Sequence, residues 1–416
     1  MGAIQTHCHA GAWERARTPA CDAPLAGKLN GGIVSEWVNE TASPCAAASN
    51  ERVAAMTEPA SRLMRERLAL LPATADADPT RYSAALTDGG AELLDLITAT
   101  DLAPLWHHSL QSGGLLESLP CGTRERLREA RLSSAMGYLM QRAALDRVDG
   151  LFEAQDIPYA VIKGAHVREC VYPDPALRPA SDIDILISPS DRRRAARALI
   201  GAGYEPHPEP ANVSHEATFS QGPVDIDLHW DMLRPGRTRV EMTRDFLARR
   251  QRTNGQWGLS DTDTLFMMLT HPAFAKYVCS PNMGLVRVAD FLLWLHERPV
   301  DWPAVRQLLK GAGLKTAAWT MLSWFGLLAA PGDQSEITSW TGSVRPGRLR
   351  AAYLRTWLSR DLPTRWLNHP LLIQIGFTLP LHDRPSDALH AVDGWRRSRR
   401  NRSRDVRLLL GDEPYR

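Results

Sequence analysis

The chain has 416 residues, 44% of them apolar and 23% charged, with 29 Gly and 29 Pro. That excludes a collagenous or wholly disordered polymer and leaves room for two or three packed units. A net charge of +2, from 49 basic and 47 acidic side chains, gives no global field to recruit nucleic acid or an anionic membrane. Lys stands only at 28, 163, 276, 310 and 315, so Arg supplies the other 44 of the 49 basic residues and each Lys stands out. The longest uncharged apolar run, Thr316 to Ala330, is shorter than the ~20 residues of a membrane-spanning helix, and no basic-then-apolar leader opens the chain. Six scattered Cys without a C-x-x-C pair point to a reduced, cytoplasmic setting. His7-Cys8-His9 has metal-ligating side chains but no second half-site nearby.

Taken in chain order, residues 1–55 are rich in Ala, Gly, Pro, Ser, Thr and Asn and read as a disordered extension. Residues 56–156 read as a helical segment. Within it Leu132, Met136, Leu139, Met140, Ala144, Val148, Leu151 and Phe152 recur at three- and four-residue spacing, an amphipathic face expected to pack on the next unit. Over 157–245 the pattern changes to an α/β core. Tyr159–Ile162 predicts a short strand, Lys163-Gly164 a turn into a helix, and Ile183–Ile187 a second strand. Ser190 is the expected N-cap of a helix closed by Gly201 and Gly203, and Val224–Trp230 alternates as another strand. Residues 246–395 return to helices. Ser260-Asp261-Thr262-Asp263 resembles a capping box ahead of Leu265, and His271-Pro272 is placed at a helix end. Residues 396–416 form a basic tail with seven Arg between 396 and 407, read as a solvated end with phosphate contact as the alternative.

The chemistry concentrates in two acidic strands. Side chains alternate along a strand, so Asp182 and Asp184 share one face while Ile183, Ile185 and Ile187 enter the core. Carboxylates about 6.6 Å apart along a backbone can converge on divalent cations, and two like charges at the end of an apolar strand are costly unless neutralised. In the second strand Asp225, Asp227 and His229 share a face opposite Val224, Ile226 and Leu228, so either Asp225 or Asp227 has the parity to complete a three-carboxylate site. Oxygen ligands of this kind suit Mg²⁺ or Mn²⁺.

The ordered set VIKG, YPDPALRPASDIDILI, a helix ending at GAGYE, and VDIDLHW resembles the uncharacterised nucleotidyltransferase family of the DNA polymerase beta-like superfamily, over about residues 95–300. The resemblance implies an α+β fold: a small mixed sheet flanked by helical N- and C-terminal segments, binding a nucleoside triphosphate such as ATP through Mg²⁺ or Mn²⁺. It carries the metal acids onto Asp182, Asp184 and Asp227. It places the phosphate-facing turn at Lys163-Gly164, and Arg178 and Ser181 on the approach to the acidic strand. The turn reads Lys163-Gly164-Ala165 where the wider superfamily opens with Gly-Ser or Gly-Gly, so Lys163 is expected to replace the hydroxyl as a point charge on the phosphates. The implied activity moves a nucleoside monophosphate to an acceptor (peptide, protein, small molecule or RNA) with release of pyrophosphate. The alternatives are γ-phosphoryl transfer at the same site, or nucleotide binding without turnover.

Overall fold

The two acidic strands are realised side by side in the computed structural model, which describes residues 58–410 apart from 75–76, 89, 208–214, 276–280 and 367. The expectations for residues 1–55 and for His7-Cys8-His9 lie outside the described residues, and so does Lys276. Seven strands build one mixed sheet: β1 (Tyr159–Val161), β2 (Ile183–Ile187), β3 (Glu205–His207), β4 (Glu216–Gln221), β5 (Val224–His229), β6 (Gln251–Thr253) and β7 (Gln256–Gly258), in the order β3-β4-β5-β2-β1-β7-β6. The β2–β5 and β1–β7 pairs are parallel, and the other four neighbours are antiparallel. Two hairpins follow from their turn residues. Gly222 takes a positive φ of 60° between β4 and β5; Asn254 (49°) and Gly255 (82°) do so between β6 and β7, the Asn-Gly pairing that a two-residue hairpin favours. The sheet therefore continues past residue 245, where the sequence led the α/β core to be ended.

Helices surround it. Ahead of the sheet come α1 (Glu58–Ala69), α2 (Pro79–Asp88), α3 (Gly90–Ala99), α4 (Ala103–Ser112) and the long α5 (Cys121–Glu153). Within it lie α6 (Lys163–Val171) after β1, α7 (Arg192–Gly201) after β2 and α8 (Thr243–Ala248) before β6. Beyond it follow α9 (Asp261–Ala275), α10 (Pro281–Glu297), α11 (Trp302–Ala312), α12 (Lys315–Leu328), α13 (Pro331–Ser343), α14 (Arg348–Ser359), the short α15 (Leu362–Arg365) and α16 (Pro370–Ile373), and α17 (Pro385–Leu410). None of the described helices is long and apolar enough to cross a membrane. The apolar run from Thr316 instead forms α12, whose Trp319, Met321, Leu322 and Phe325 are buried, with Phe325 stacked on Phe291 of α10 at 4.4 Å between ring centres.

One sheet face is apolar and covered. Ile183, Ile185 and Ile187 of β2 and Val224, Ile226 and Leu228 of β5 pack with Ala144, Val148 and Phe152 of α5 and Ala195 and Leu199 of α7. Leu409 of α17 is buried in the same cluster, so the Arg-rich stretch from 396 continues as a helix whose end joins the core, where its charge had suggested a solvated tail. The face of α5 divides. Its C-terminal half is buried as expected, but Leu132, Met136, Leu139 and Met140 are 58, 64, 66 and 41% exposed. The cap of α7 also shifts: the helix begins after Asp191, and Ser190 pairs with Ser188 through their hydroxyls. The capping box of α9 is realised, with Ser260 Oγ donating to Asp263 Oδ2 (2.7 Å) and accepting from the Asp263 amide (3.3 Å). His271 lies inside α9 and not at its end.

Candidate active site

The polar face of the sheet is assembled by register. In the parallel β2–β5 pair Asp184 stands opposite Asp227; in the antiparallel β4–β5 pair Glu216 stands opposite His229, Thr218 opposite Asp227 and Ser220 opposite Asp225. Because side chains alternate, every one of these projects away from the apolar core. Thr218 Oγ1 donates to Asp227 Oδ1 (2.6 Å) and Ser220 Oγ to Asp225 Oδ1 (2.6 Å). His229 Nε2 lies 2.8 Å from Asp184 Oδ1, and its Nδ1 lies 3.2 Å from Glu216 Oε2, so two carboxylates flank the ring.

Lys163 reaches the same place from β1. Its φ of 54° puts a non-glycine residue in the left-handed region, turning the chain out of β1 into α6. Its ammonium then pairs with Asp184 Oδ1 and lies 3.2 Å from His229 Nε2. Burial works against both charges of this pair. For Lys163 the carboxylates of Asp184, Glu216 and Asp182 outweigh burial and hold the ammonium above the ordinary lysine value. For Asp184, Lys163 and His229 outweigh burial and hold the carboxyl far below the usual range.

Gly164 has a different role from the one its sequence position suggests. Its φ is not in the left-handed region; that conformation falls on Lys163. What requires glycine is the Arg178 guanidinium, since a Cβ at 164 would fall 2.1 Å from Arg178 Nη1. Arg178 is clamped: Nη2 and Nε donate to the two oxygens of Asp290 on α10 (2.8 and 3.2 Å), and Nη1 donates to the Pro179 carbonyl (2.8 Å). Tyr172 OH also donates to Asp290 Oδ1 (2.8 Å). This network fixes the loop that delivers Asp182 and Asp184. Ser181 is exposed and donates to Asp182 Oδ1 (3.2 Å) at the partly exposed head of β2.

One ligand atom each of Asp184, Asp227 and His229 lies within 4.8 Å of the others, and Asp182 falls outside this group. Ligands at 2.0–2.1 Å from Mg²⁺ sit at most about 4.2 Å apart, so the set fits a small divalent cation after modest side-chain rotation. Of the residues the sequence pointed to, Lys163, Asp184 and Asp227 are brought together, Asp182 and Ser181 lie at the rim, and Asp225 is exposed. Sequence reasoning missed Glu216, Thr218 and Asp290. The alternation Glu216-x-Thr218-x-Ser220 ahead of Gly222 was a readable signal for the first two; nothing local marks Asp290. His271, buried in α9, is driven well below the ordinary histidine range by burial and by Lys163. Asp231, just past β5, is pushed up to about 6 by burial, with Glu241 adding to the effect.

A mixed sheet presenting opposed carboxylates from adjacent strands defines the class of α+β proteins built around an acidic centre. The particular family follows from comparison: residues 90–329, more than half of the chain, match the uncharacterised nucleotidyltransferase family, and the chain belongs to it. No curated protein and no solved structure matches the chain.

Proposed function

We propose that the protein transfers a nucleoside monophosphate from a nucleoside triphosphate, ATP in the first instance, to an acceptor nucleophile. The new bond joins the acceptor oxygen to the α-phosphorus, the α–β phosphoanhydride bond breaks, and pyrophosphate leaves with the electron pair. The observation that carries this reading is the register of Asp184 opposite Asp227 on parallel neighbours, in a chain of this family. Asp184 and Asp227 would hold Mg²⁺ or Mn²⁺, with Asp182 at the rim as the third acid and His229 beside them. When bound, such an ion supplies positive charge that draws the triphosphate to the carboxylates and stabilises the leaving oxygen. Thr218 fixes the Asp227 carboxylate, and Glu216 sets a second carboxylate 3.2 Å from His229 Nδ1. Lys163 and Gly164 form the turn on which the phosphates would be positioned, Ser181 borders it, and Arg178 holds the loop in place from beneath. Positioning and electrostatics carry most of the acceleration in reactions at phosphorus, so no covalent intermediate on the protein is required.

One observation favours a second reading, nucleotide binding without turnover: the Lys163 ammonium already neutralises Asp184. Incubation of the full chain with Mg²⁺ and ATP labelled at either the α or the γ phosphorus separates the possibilities. Acceptor labelling from the α label, with pyrophosphate released, is expected. Labelling from γ alone would reassign the reaction to phosphoryl transfer, and nucleotide binding without either product would reject catalysis.

A further inference from the structure

We infer that the cavity between α4 and α5 binds a small molecule with an oxyanion (a carboxylate or phosphate) on an apolar body, the oxyanion meeting Arg131 and His107. The cavity has a volume of about 440 Å³, within the range of small-molecule sites. Its lining shares no residue with the acidic group of Asp184, Asp227 and His229, so the inference stands whether or not the chain transfers nucleotides. Two buried polar atoms of the lining residues have no partner among the described residues. His107, on α4, is only 7% exposed and its Nδ1 meets no hydrogen-bonding group; Nη1 of Arg131, on α5, is in the same state. Buried donors and acceptors in folded proteins are nearly always paired. Two orphans, from two helices around one cavity, point to a group that the chain itself does not supply.

Arg131 is held ready for that group. Its Nη2 pairs with Asp174, whose Oδ1 accepts from the Ala176 amide (2.9 Å). Ser134, one turn further along α5, donates to the Ala176 carbonyl (2.6 Å), so helix and loop are tied at two points. The guanidinium is thereby fixed with Nη1 left over, a donor in place before any ligand arrives. Acids stand nearby, but towards solvent. The Arg131 side chain is 22% exposed against 42% for Asp174. Glu117 is exposed at the rim and shared by Arg124 (3.0 Å) and Arg128 (3.7 Å), and Arg128 also pairs with Glu125 (3.1 Å). Pairs this open to water are weak. At His107 the field is positive: burial, then Arg131, Arg128 and His108, lower its affinity for a proton and keep the ring neutral at pH 7. An oxyanion can accept from Arg131 at one oxygen and from the N–H of the neutral imidazole at another. Leu116, which is buried, and Leu132 supply apolar wall for the rest of the molecule. The site also gives a reason for Leu132 to stay uncovered on α5.

The test is calorimetric binding of three probes to the full chain at pH 7: 3-phenylpropionate, phenyl phosphate and the neutral 3-phenylpropionamide. Divalent cations are left out, so that the acidic centre offers an anion only like charge. At least one of the two anions should bind about tenfold to a hundredfold more tightly than the amide, as a charge-assisted hydrogen bond would give. The tighter anion identifies the oxyanion as carboxylate or phosphate. Arg131→Gln should abolish the preference for the anion over the amide, and His107→Phe, which keeps a ring and removes its nitrogens, should lose part of it. Leu132→Trp changes an exposed position and leaves both polar groups in place. Its bulk at the wall should weaken all three probes about tenfold or more, which keeps the test should R131Q fail to fold. Anions bound no better than the amide by wild type, or a preference that survives in R131Q, would overturn the inference. So would probe affinities unchanged in L132W, which would place the probes elsewhere, or no binding of any probe by wild type. None of these results bears on nucleotidyl transfer.

Discussion

At the scale of single residues, the site is set by two positions where backbone and side chain conflict with ordinary preference. Lys163 adopts a left-handed φ that a non-glycine residue usually avoids, and Gly164 beside it is required only because Arg178 lies over its backbone. A methyl group at 164 must displace a guanidinium pinned at three N–H groups. Gly164→Ala should therefore destabilise the protein by about 1–3 kcal/mol, seen as a lower urea midpoint. An unchanged midpoint would show that Arg178 moves aside freely. Residue-scale features are also the ones least visible beforehand. Asp184 and Asp227 were legible because isoleucine and aspartate alternate around them. Asp290 was not, lying 112 residues along the chain from Arg178 with nothing local to single it out.

Among elements, the clamp between the β2 loop and α10 fastens the acidic strand to the helices. The Arg178 and Asp290 side chains are only 11 and 7% exposed, and breaking a buried pair strands the surviving charge. Asp290→Ala should cost about 3–5 kcal/mol, whereas the double change Arg178→Leu with Asp290→Leu should cost less, because no charge is then left unpaired. Urea unfolding of the three proteins decides this; a double variant less stable than the single would show that the pair is worth more than its desolvation. The elements that alternate over five or six residues, β2 and β5, were readable, as was the capping box at Ser260. Strands β6 and β7 span three residues each, too few to establish a period. The amphipathic face of α5 was read correctly as a pattern and wrongly as a contact along its first half. Periodicity reports that a helix has an apolar side, not which part of that side meets a neighbour. The same limit applies to α17, where charge density hid the buried Leu409.

For the whole molecule, acid sensitivity should reflect buried histidines that take no part in the acidic centre. His166 and His382, each 1% exposed, are pushed down to about 4, chiefly by burial and then by Arg298 and Arg237 respectively. An unfolded histidine takes up its proton near pH 6.5, so between there and pH 4 the unfolded chain binds protons that the folded one refuses. Their contribution is fully present above pH 6.5 and is lost as the pH falls towards 4, about 3 kcal/mol for each group at most. Urea midpoints should drop steadily across that window, and His382→Gln should flatten part of the slope. A midpoint constant from pH 7 to pH 4 would contradict the burial of these rings.

The ammonium that Lys163 lays against Asp184 also bears on when the pocket takes shape. A cleft whose acids repel one another closes only once an outside ion has arrived, and stripping that ion loosens the fold. Here the compensating charge is part of the polypeptide, so the cleft can be completed as the chain folds, before anything is loaded. Exhaustive treatment with a chelator should accordingly leave the melting temperature where it was, and a drop of several degrees would show that the built-in counter-ion does not suffice.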